Sequence, residues 1–213
     1  MSNLVKKSDA KRLHILETGS DLVLRKGFVG VGLQEILKNC GIPKGSFYHY
    51  FESKESFGCE LVKHYIHNYQ LRLNELWAES PSSSSATQQS AYSKLINYFS
   101  LWINDPLTNY GWAEICLVVK LAAEVSDLSE DMRLIMAHGV ERLIENISQL
   151  ILLGKLDQSI SVQGDAVINA QVIYQMWLGA ALLSKLQKDK APLHHALNAT
   201  RQMLNNPIAA SKC

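Results

Sequence analysis

The 213-residue sequence has few cysteines and almost no excess of charge of either sign. Cys40, Cys59, Cys116 and Cys213 are widely spaced and form no CxxC pair. That spacing argues against a disulfide framework or a structural zinc site and favours reduced thiols. The formal net charge of +1 excludes a uniformly basic coat for nucleic acid, but it is compatible with a local basic patch.

Long apolar runs are also lacking. The most apolar stretch, Val172 to Leu183, is about a dozen residues long, whereas a membrane-spanning helix needs about 20. The segment Met1 to Arg12 is polar and lysine-rich, unlike a secretory signal. We therefore expect a soluble, cytoplasmic protein that does not associate with a membrane.

The sequence contains no Ser/His/Asp, paired-carboxylate or glycine-rich phosphate-binding arrangement at a usable spacing. Neither the pair His64 and His67 nor the pair His194 and His195 lies among the carboxylates or thiols that a metal site needs. We expect no enzymatic activity, no metal and no cofactor.

Basic residues are concentrated in the first third of the chain. Residues 1–64 contain ten Lys/Arg and seven Asp/Glu, a net charge of +3, whereas residues 65–213 contain eleven and thirteen, a net charge of −2. A negatively charged partner such as DNA would therefore bind near the N-terminus.

Apolar residues recur at helical spacing through most of the chain, and no segment alternates like a strand for long, which predicts an all-α fold. Ser53 is the expected N-cap of a long helix, and Ser80 to Ser85 has the composition of an exposed loop. We predict a helix-turn-helix domain at residues 1–52, a linking helix at 53–79, and an effector-binding and dimerisation domain at 80–213. The expected helices are a first one ending near Lys26, short ones at 33–39 and 44–50, the linking helix, and others near 84–104, 111–125, 128–154, 164–188 and 191–206.

The spacing of Ile36, Gly41, Ile42 and Phe47 is that of a helix-turn-helix motif. Gly41 can adopt the positive φ of the turn, while Ile42 and Phe47 hold the second helix against the first. Pro43 is tolerated where that second helix begins, because the N–H that it lacks has no partner there.

The second helix of this motif leaves an outer face of cationic, hydroxyl and ring side chains that suit DNA phosphates and base edges. An ordinary helical hairpin with a solvated polar face has the same pattern. The predicted DNA contacts are Gln34, Lys44, Gly45, Ser46, Tyr48, His49 and Lys54.

The residues Arg12 to Leu16, Gly27-Phe28, Gly41 to Phe51 and Ser53 to Glu55 resemble the N-terminal domain of TetR/AcrR-type repressors. The resemblance implies a three-helix DNA-binding domain, a larger helical ligand domain, and a homodimer that binds double-stranded operator DNA. Gly32 stands where that family usually has a Ser or Thr that caps the second helix.

The segments Cys116 to Val125, Asp127 to Arg133 and Trp177 to Ala180 resemble the NemR-like subgroup of that family. This resemblance implies sensing of reactive electrophiles through a cysteine, which would be Cys116 here.

A thiol reacts only if it is partly thiolate and accessible. Lys120 follows Cys116 at i+4, and Lys185 is another possible cation that the sequence cannot place beside it. The alternative is that Cys116 is a small buried core residue, the commonest fate of a free cysteine.

Large aromatic residues of the C-terminal part could line an effector cavity or could be plain core. They are Tyr98, Trp102, Tyr110, Trp112, Tyr174 and Trp177, with Met136 beside them. Small residues near the C-terminus predict either a four-helix dimer interface or close packing inside one protomer. They are Ala166, Ala170, Gly179, Ala180, Ala181, Ala196 and Ala199.

Together these features predict a dimeric repressor that a small-molecule effector releases from its operator, with a reactive electrophile that modifies Cys116 as the effector that the resemblance implies. The alternatives are a constitutive DNA-binding or partner-docking dimer without an effector, and a helical enzyme.

Overall fold

The computed structural model describes residues 2–78 and 89–205, with the side chains of residues 2–7 left aside. Within these ranges the chain forms nine helices and no strand, which confirms the all-α prediction. The helices are α1 (Ser2–Lys26), α2 (Leu33–Cys40), α3 (Lys44–Tyr50), α4 (Lys54–Trp77), α5 (Ala91–Ile103), α6 (Leu117–Leu128), α7 (Glu130–Leu156), α8 (Ala166–Gln187) and α9 (Ala191–Leu204).

Most of the predicted helix boundaries agree with these bounds within a few residues. The loop expected at Ser80 to Ser85 lies outside the described residues, as does part of the helix expected from residue 84. The helix expected at 111–125 is wrong at its start, because residues 104–116 are not helical. A Cβ on Gly111 would lie 2.2 Å from the carbonyl oxygen of Trp102 near the end of α5, so the backbone of this loop comes too close to α5 for a larger residue.

The ends of several helices follow from local chemistry. Gly27 has φ 79° and its N–H donates to the Val23 carbonyl, which ends α1 as the sequence predicts. The predicted N-cap Ser53 accepts the Ser56 N–H at 2.9 Å, and the carboxylate of Asp165 accepts two N–H groups at the start of α8. Gly32, as expected, offers α2 no side-chain cap.

The chain divides into two compact units. Unit 1 comprises residues 1–70 and 116–139, and unit 2 comprises residues 71–115 and 140–213. Unit 1 therefore contains α6 and the first part of α7 as well as the predicted helix-turn-helix. The functional division of the chain at residues 52 and 79 stays a prediction, because compactness assigns no function to a segment.

Helix α8 is apolar over a longer stretch than the sequence pattern suggested. It is 22 residues long and contains an 18-residue stretch with a mean hydropathy of 1.4, so by length and composition alone it could cross a membrane. Yet 39% of this stretch is buried inside the protein, and core helices of soluble proteins meet the same criteria. Several of its apolar residues are exposed on the surface of the protomer.

Candidate functional site

The turn between α2 and α3 has the geometry that a helix-turn-helix requires. Gly41 adopts the left-handed conformation at φ 66° and ψ 34°, and Ile42 donates its N–H to the Leu37 carbonyl at 3.1 Å. Pro43 is the N-cap of α3. The predicted roles of Gly41 and Pro43 are therefore confirmed.

Phe47 anchors α3 to the core of unit 1. Its side chain is fully buried, and its ring centroid lies 5.2 Å from that of Phe51 and 5.5 Å from that of Phe57. Ile36 is also fully buried, and Ile42 packs against the same cluster. These contacts fix which face of α3 points inward.

The opposite face of α3 is exposed and polar. Lys44, Gly45, Tyr48 and His49 are exposed, and Ser46 is half-buried. The Lys44 ammonium lies 5.8 Å from the centroid of the Tyr48 ring. The ammonium and the Tyr48 hydroxyl thus belong to one local surface. These five predicted DNA contacts therefore lie together on one short helix.

The other two predicted DNA contacts have different surroundings. Gln34 is exposed in the first turn of α2. The Lys54 ammonium donates to the Phe28 carbonyl at 2.8 Å and lies 4.7 Å from the centroid of the Phe28 ring. Burial lowers the pKa of Lys54, while the nearby Glu124 carboxylate opposes this. Lys54 thus has a structural role in unit 1, and its contact with DNA stays a prediction.

Glu124 joins α6 to the segment that follows α1. Its carboxylate accepts the Phe28 N–H at 3.1 Å and also the Val29 N–H, two donors left without helical partners after the left-handed Gly27. On the same helix, the Lys120 ammonium donates a hydrogen bond to the Arg25 carbonyl at 3.3 Å. Glu124 could not be predicted from the sequence. Its hydrogen-bond partners lie about 95 residues earlier in the chain, and no local sequence pattern indicates such a contact.

Cys116 is the N-cap residue of α6. The predicted helix start at residue 111 places it inside the helix, so this predicted position is wrong. Its side chain is only 3% exposed. Lys120 and Glu124 are spaced at i and i+4, so they share one side of α6, and Cys116 lies at the N-terminal end of the same helix. The thiol therefore lies at the start of the helix that bonds the end of α1.

The two cations predicted to activate the thiol are not alike. Lys120 belongs to unit 1 with Cys116, but its ammonium donates to a backbone carbonyl. Lys185 is exposed on α8 and belongs to unit 2. The role of either cation in sensing stays a prediction.

Cys40 and Cys59, two of the other thiols, both have a raised pKa. Burial raises the pKa of Cys40 and that of Cys59, and the Asp131 carboxylate raises the latter further. A higher pKa leaves less thiolate to react at neutral pH. Cys213 lies outside the described residues.

Most of the predicted effector-lining aromatics form one buried cluster in unit 2. Tyr98 contacts Trp102, Trp112 and Phe99, and Trp102 contacts Tyr174 and Trp177. Phe99 and Trp177 are stacked at 4.7 Å. Tyr110, by contrast, is 39% exposed in the loop before α6. Met136 belongs to the core of unit 1 instead.

Three polar or charged partners of these rings were not predicted. The buried Asp105 carboxylate accepts the Trp112 indole N–H at 2.7 Å, and the buried Thr200 hydroxyl accepts that of Trp177 at 2.9 Å. The Arg72 guanidinium lies 4.8 Å from the centroid of the Trp112 ring. An isolated Asp, Thr or Arg in the sequence carries no signal of such pairing.

Small residues bring α8 and α9 together inside one protomer. Five of the seven that were singled out, Ala166, Ala170, Ala180, Ala181 and Ala196, are buried. Gly179 is exposed and Ala199 half-buried, and both line a surface groove between the two helices that also includes Leu183. Packing within the protomer therefore accounts for most of this pattern.

The fold and the exposed face of α3 define a helix-turn-helix DNA-binding regulator. The family described as "Bacterial regulatory proteins, tetR family" matches residues 15–57, and "Tetracyclin repressor-like, C-terminal domain" matches residues 91–200. The chain is 38% identical to the HTH-type transcriptional repressor NemR of Escherichia coli, over 92% of this chain and 94% of that protein. It is 28% identical to the repressor DhaR of a Mycobacterium species, over 91% of each chain.

Solved structures show the same likeness over nearly the whole chain. A TetR/AcrR-family regulator is 59% identical with a TM-score of 0.81, covering 92% of this chain and all of that one. The reduced form of E. coli NemR is 38% identical with the same TM-score, covering 93% and 99%. The chain belongs to the TetR family of transcriptional regulators. This confirms the predicted family, the NemR-like resemblance and the role as a DNA-binding transcriptional repressor.

Proposed function

We propose that this repressor acts in the cytoplasm as a homodimer that binds a pseudo-palindromic operator through α3 of each protomer. The exposed polar face of α3, fixed by the buried Phe47, is the observation that carries the proposal. Lys44, Tyr48 and His49 suit phosphates and base edges, and two such helices on a two-fold axis match the symmetry of a palindrome.

A mobility shift with promoter DNA from the protein's own locus tests operator binding. Because cationic side chains displace counterions from DNA, the affinity should fall steeply as salt is raised, while specific DNA outcompetes unrelated DNA. Equal affinity for both DNAs at every salt concentration would contradict the proposal.

The dimer interface is proposed to form on α8 and α9. Helix α8 exposes an apolar stripe that no described residue of its own protomer covers, and soluble proteins rarely leave large contiguous apolar patches exposed. The exposed residues are Val167, Ile168, Val172, Leu182, Leu183 and Leu186. A second copy of the same two helices would cover this stripe with a self-complementary four-helix interface.

Leu183→Arg tests this interface. The side chain is 46% exposed within one protomer, so the variant should fold, yet a charge in the interface should shift the protein towards monomers. Sedimentation should then report the 23.8 kDa of one chain instead of twice that mass. The control Leu107→Arg, at a residue 90% exposed in a loop of the same unit, should stay dimeric. Dimers of unchanged affinity in Leu183→Arg would place the interface elsewhere.

The effector is proposed to be a reactive electrophile that modifies Cys116. The likeness to NemR, one solved structure of which is described as a reduced form, supports a thiol as the responsive group. Addition of the thiolate to an α,β-unsaturated carbonyl forms a C–S bond, shifts the alkene electron pair towards the carbonyl, and takes a proton from solvent at the α-carbon. Since Cys116 is buried, the start of α6 must open for this reaction, and an adduct would keep it displaced.

Cys116→Ser is expected to bind operator DNA like the wild type and to stay bound when treated with a quinone or an α,β-unsaturated aldehyde. Serine is close in size to cysteine but does not form a stable adduct with these reagents. Mobility shifts before and after treatment measure the response, and mass spectrometry locates the adduct. The control Cys59→Ser should respond normally. Normal release of Cys116→Ser would assign the response to another cysteine or to non-covalent binding.

One observation favours the alternative of a repressor without covalent sensing, namely that Cys116 is 3% exposed. In that case the thiol would be a core residue, and the DNA affinity would be constitutive or controlled by reversible binding. An unmodified Cys116 after treatment, together with unchanged operator binding and no thermal shift by any small molecule, would establish the constitutive alternative.

A further inference from the structure

The four tryptophans of the chain differ in how their buried indole N–H groups are satisfied. Those of Trp112 and Trp177 donate to Asp105 and Thr200. Those of Trp77 and Trp102 are buried without an acceptor among the described residues. Buried donors in folded proteins nearly always have an acceptor, because leaving one unpaired is unfavourable. An unpaired buried donor is therefore a feature that a ligand could explain.

Trp102 lies at the centre of aromatic side chains. It is 1% exposed, and it meets Tyr98, Tyr174 and Trp177 edge-to-face with ring centroids 6.3, 6.1 and 5.8 Å away. Trp77, the other indole without an acceptor, also packs on Tyr98 at 5.5 Å. The two unpaired donors thus share one aromatic neighbour, and both belong to unit 2.

We propose that this cluster binds, reversibly, a planar and uncharged molecule whose carbonyl oxygen accepts the hydrogen bond of Trp102 Nε1. The rings around Trp102 favour a flat apolar ligand. An ionised group would lose its hydration on entering a site that is 99% shielded at Trp102, whereas a carbonyl only exchanges one hydrogen bond for another. Binding requires the aromatic side chains around Trp102 to move apart, since their rings are in contact.

Binding of the ligand does not depend on the proposed function. Its role as an effector does, because only a repressor bound to an operator can be regulated by it. Binding here differs from the thiol chemistry in that no covalent bond forms. The need for an acceptor follows from the donor: no described residue accepts from Trp102 Nε1, so the ligand must supply the acceptor.

The test uses 1-indanone, a flat bicyclic ketone, and indane, which has the same ring system without the carbonyl. The full-length protein is labelled with ¹⁵N-tryptophan, so that its four indole N–H groups give four signals, and each signal is assigned with a Trp→Phe variant. We expect 1-indanone to move the Trp102 indole proton downfield, as a new hydrogen bond does, and indane not to. The signals of Trp112 and Trp177, which already have acceptors, should change less.

Affinities provide a second measurement. Trp102→Phe keeps a ring but removes the donor, and the loss of one neutral hydrogen bond should weaken 1-indanone binding by roughly threefold to tenfold. Binding of indane should be unchanged. The control Trp177→Phe removes an N–H that Thr200 accepts, so it should lower thermal stability without changing the preference for 1-indanone over indane.

An unmoved Trp102 signal, equal effects of 1-indanone and indane, or an unchanged preference in Trp102→Phe would each overturn the assignment. Operator release by a reactive quinone is measured in parallel on the same preparation. If the quinone releases the protein from its operator while 1-indanone leaves the Trp102 signal unmoved, only the Trp102 site is overturned. If 1-indanone moves the Trp102 signal but neither compound releases the protein from its operator, the site is supported and regulation by an effector is contradicted.

Discussion

Phe47→Ala is expected to abolish operator binding by unfolding the helix-turn-helix. The Phe47 side chain is fully buried between the rings of Phe51 and Phe57, and truncation of a buried phenylalanine costs about 3–5 kcal/mol. That loss is a large fraction of the total stability of an ordinary domain. Urea unfolding followed by circular dichroism, with a mobility shift in parallel, measures both effects.

The neighbouring residue provides a matched control. Tyr48 is 46% exposed on the proposed DNA-binding face, so Tyr48→Ala should leave the unfolding midpoint almost unchanged while it weakens operator binding. The pair thus separates a residue that holds α3 in place from one that contacts DNA. A stable Phe47→Ala protein would show that Phe47 does not hold α3 in place, and a Tyr48→Ala protein with wild-type affinity would contradict DNA contact through this face of α3.

Much of the DNA-binding part could be predicted because its determinants are local. The helix-turn-helix depends on the identities and spacing of Gly41, Ile42 and Phe47 within one short segment. The same applies to Gly27 and Ser53, whose effects on a helix end operate within a few residues. Periodicity likewise located all the helices within the described residues, apart from the start of α6.

The rest of the site could not be predicted because it depends on contacts between distant parts of the chain. Residues 104–116 are not helical, and the contact of Gly111 in this loop with the end of α5 joins positions that no sequence pattern links. The small residues of α8 and α9 fit either of two interfaces by sequence, and only their burial shows that most pack within the protomer. Burial also separates Tyr110 from the aromatic cluster and shows that Cys116 is shielded.

Glu124 is one residue through which a change at Cys116 would reach the segment between α1 and α2. Both lie on α6, with the thiol at its N-cap and the carboxylate two turns further on. The carboxylate bonds the N–H groups of Phe28 and Val29, which precede α2. A displacement of α6 would break these bonds. The conformation of the segment between α1 and α2 is therefore coupled to the position of α6, and the coupling acts in both directions.

Glu124→Ala is therefore expected to uncouple operator binding from the effector. The variant should lose roughly 1–2 kcal/mol of stability, less than the full value of two charged hydrogen bonds because Val29 is largely exposed. The ratio of operator dissociation constants for the electrophile-treated and untreated protein should fall towards one. Mobility shifts with both forms measure this ratio, and mass spectrometry verifies that Cys116 is modified to the same extent.

Asp127→Ala and Glu124→Gln distinguish coupling from a general effect of charge. Asp127 is an exposed acid on the same helix, so its removal should leave the ratio at the wild-type value. The amide of Glu124→Gln can still accept an N–H but lacks the charge, so its ratio should lie between those of Glu124→Ala and the wild type. If Glu124→Ala retains the wild-type ratio with Cys116 modified, the signal does not pass through the bonds between α6 and the α1–α2 segment.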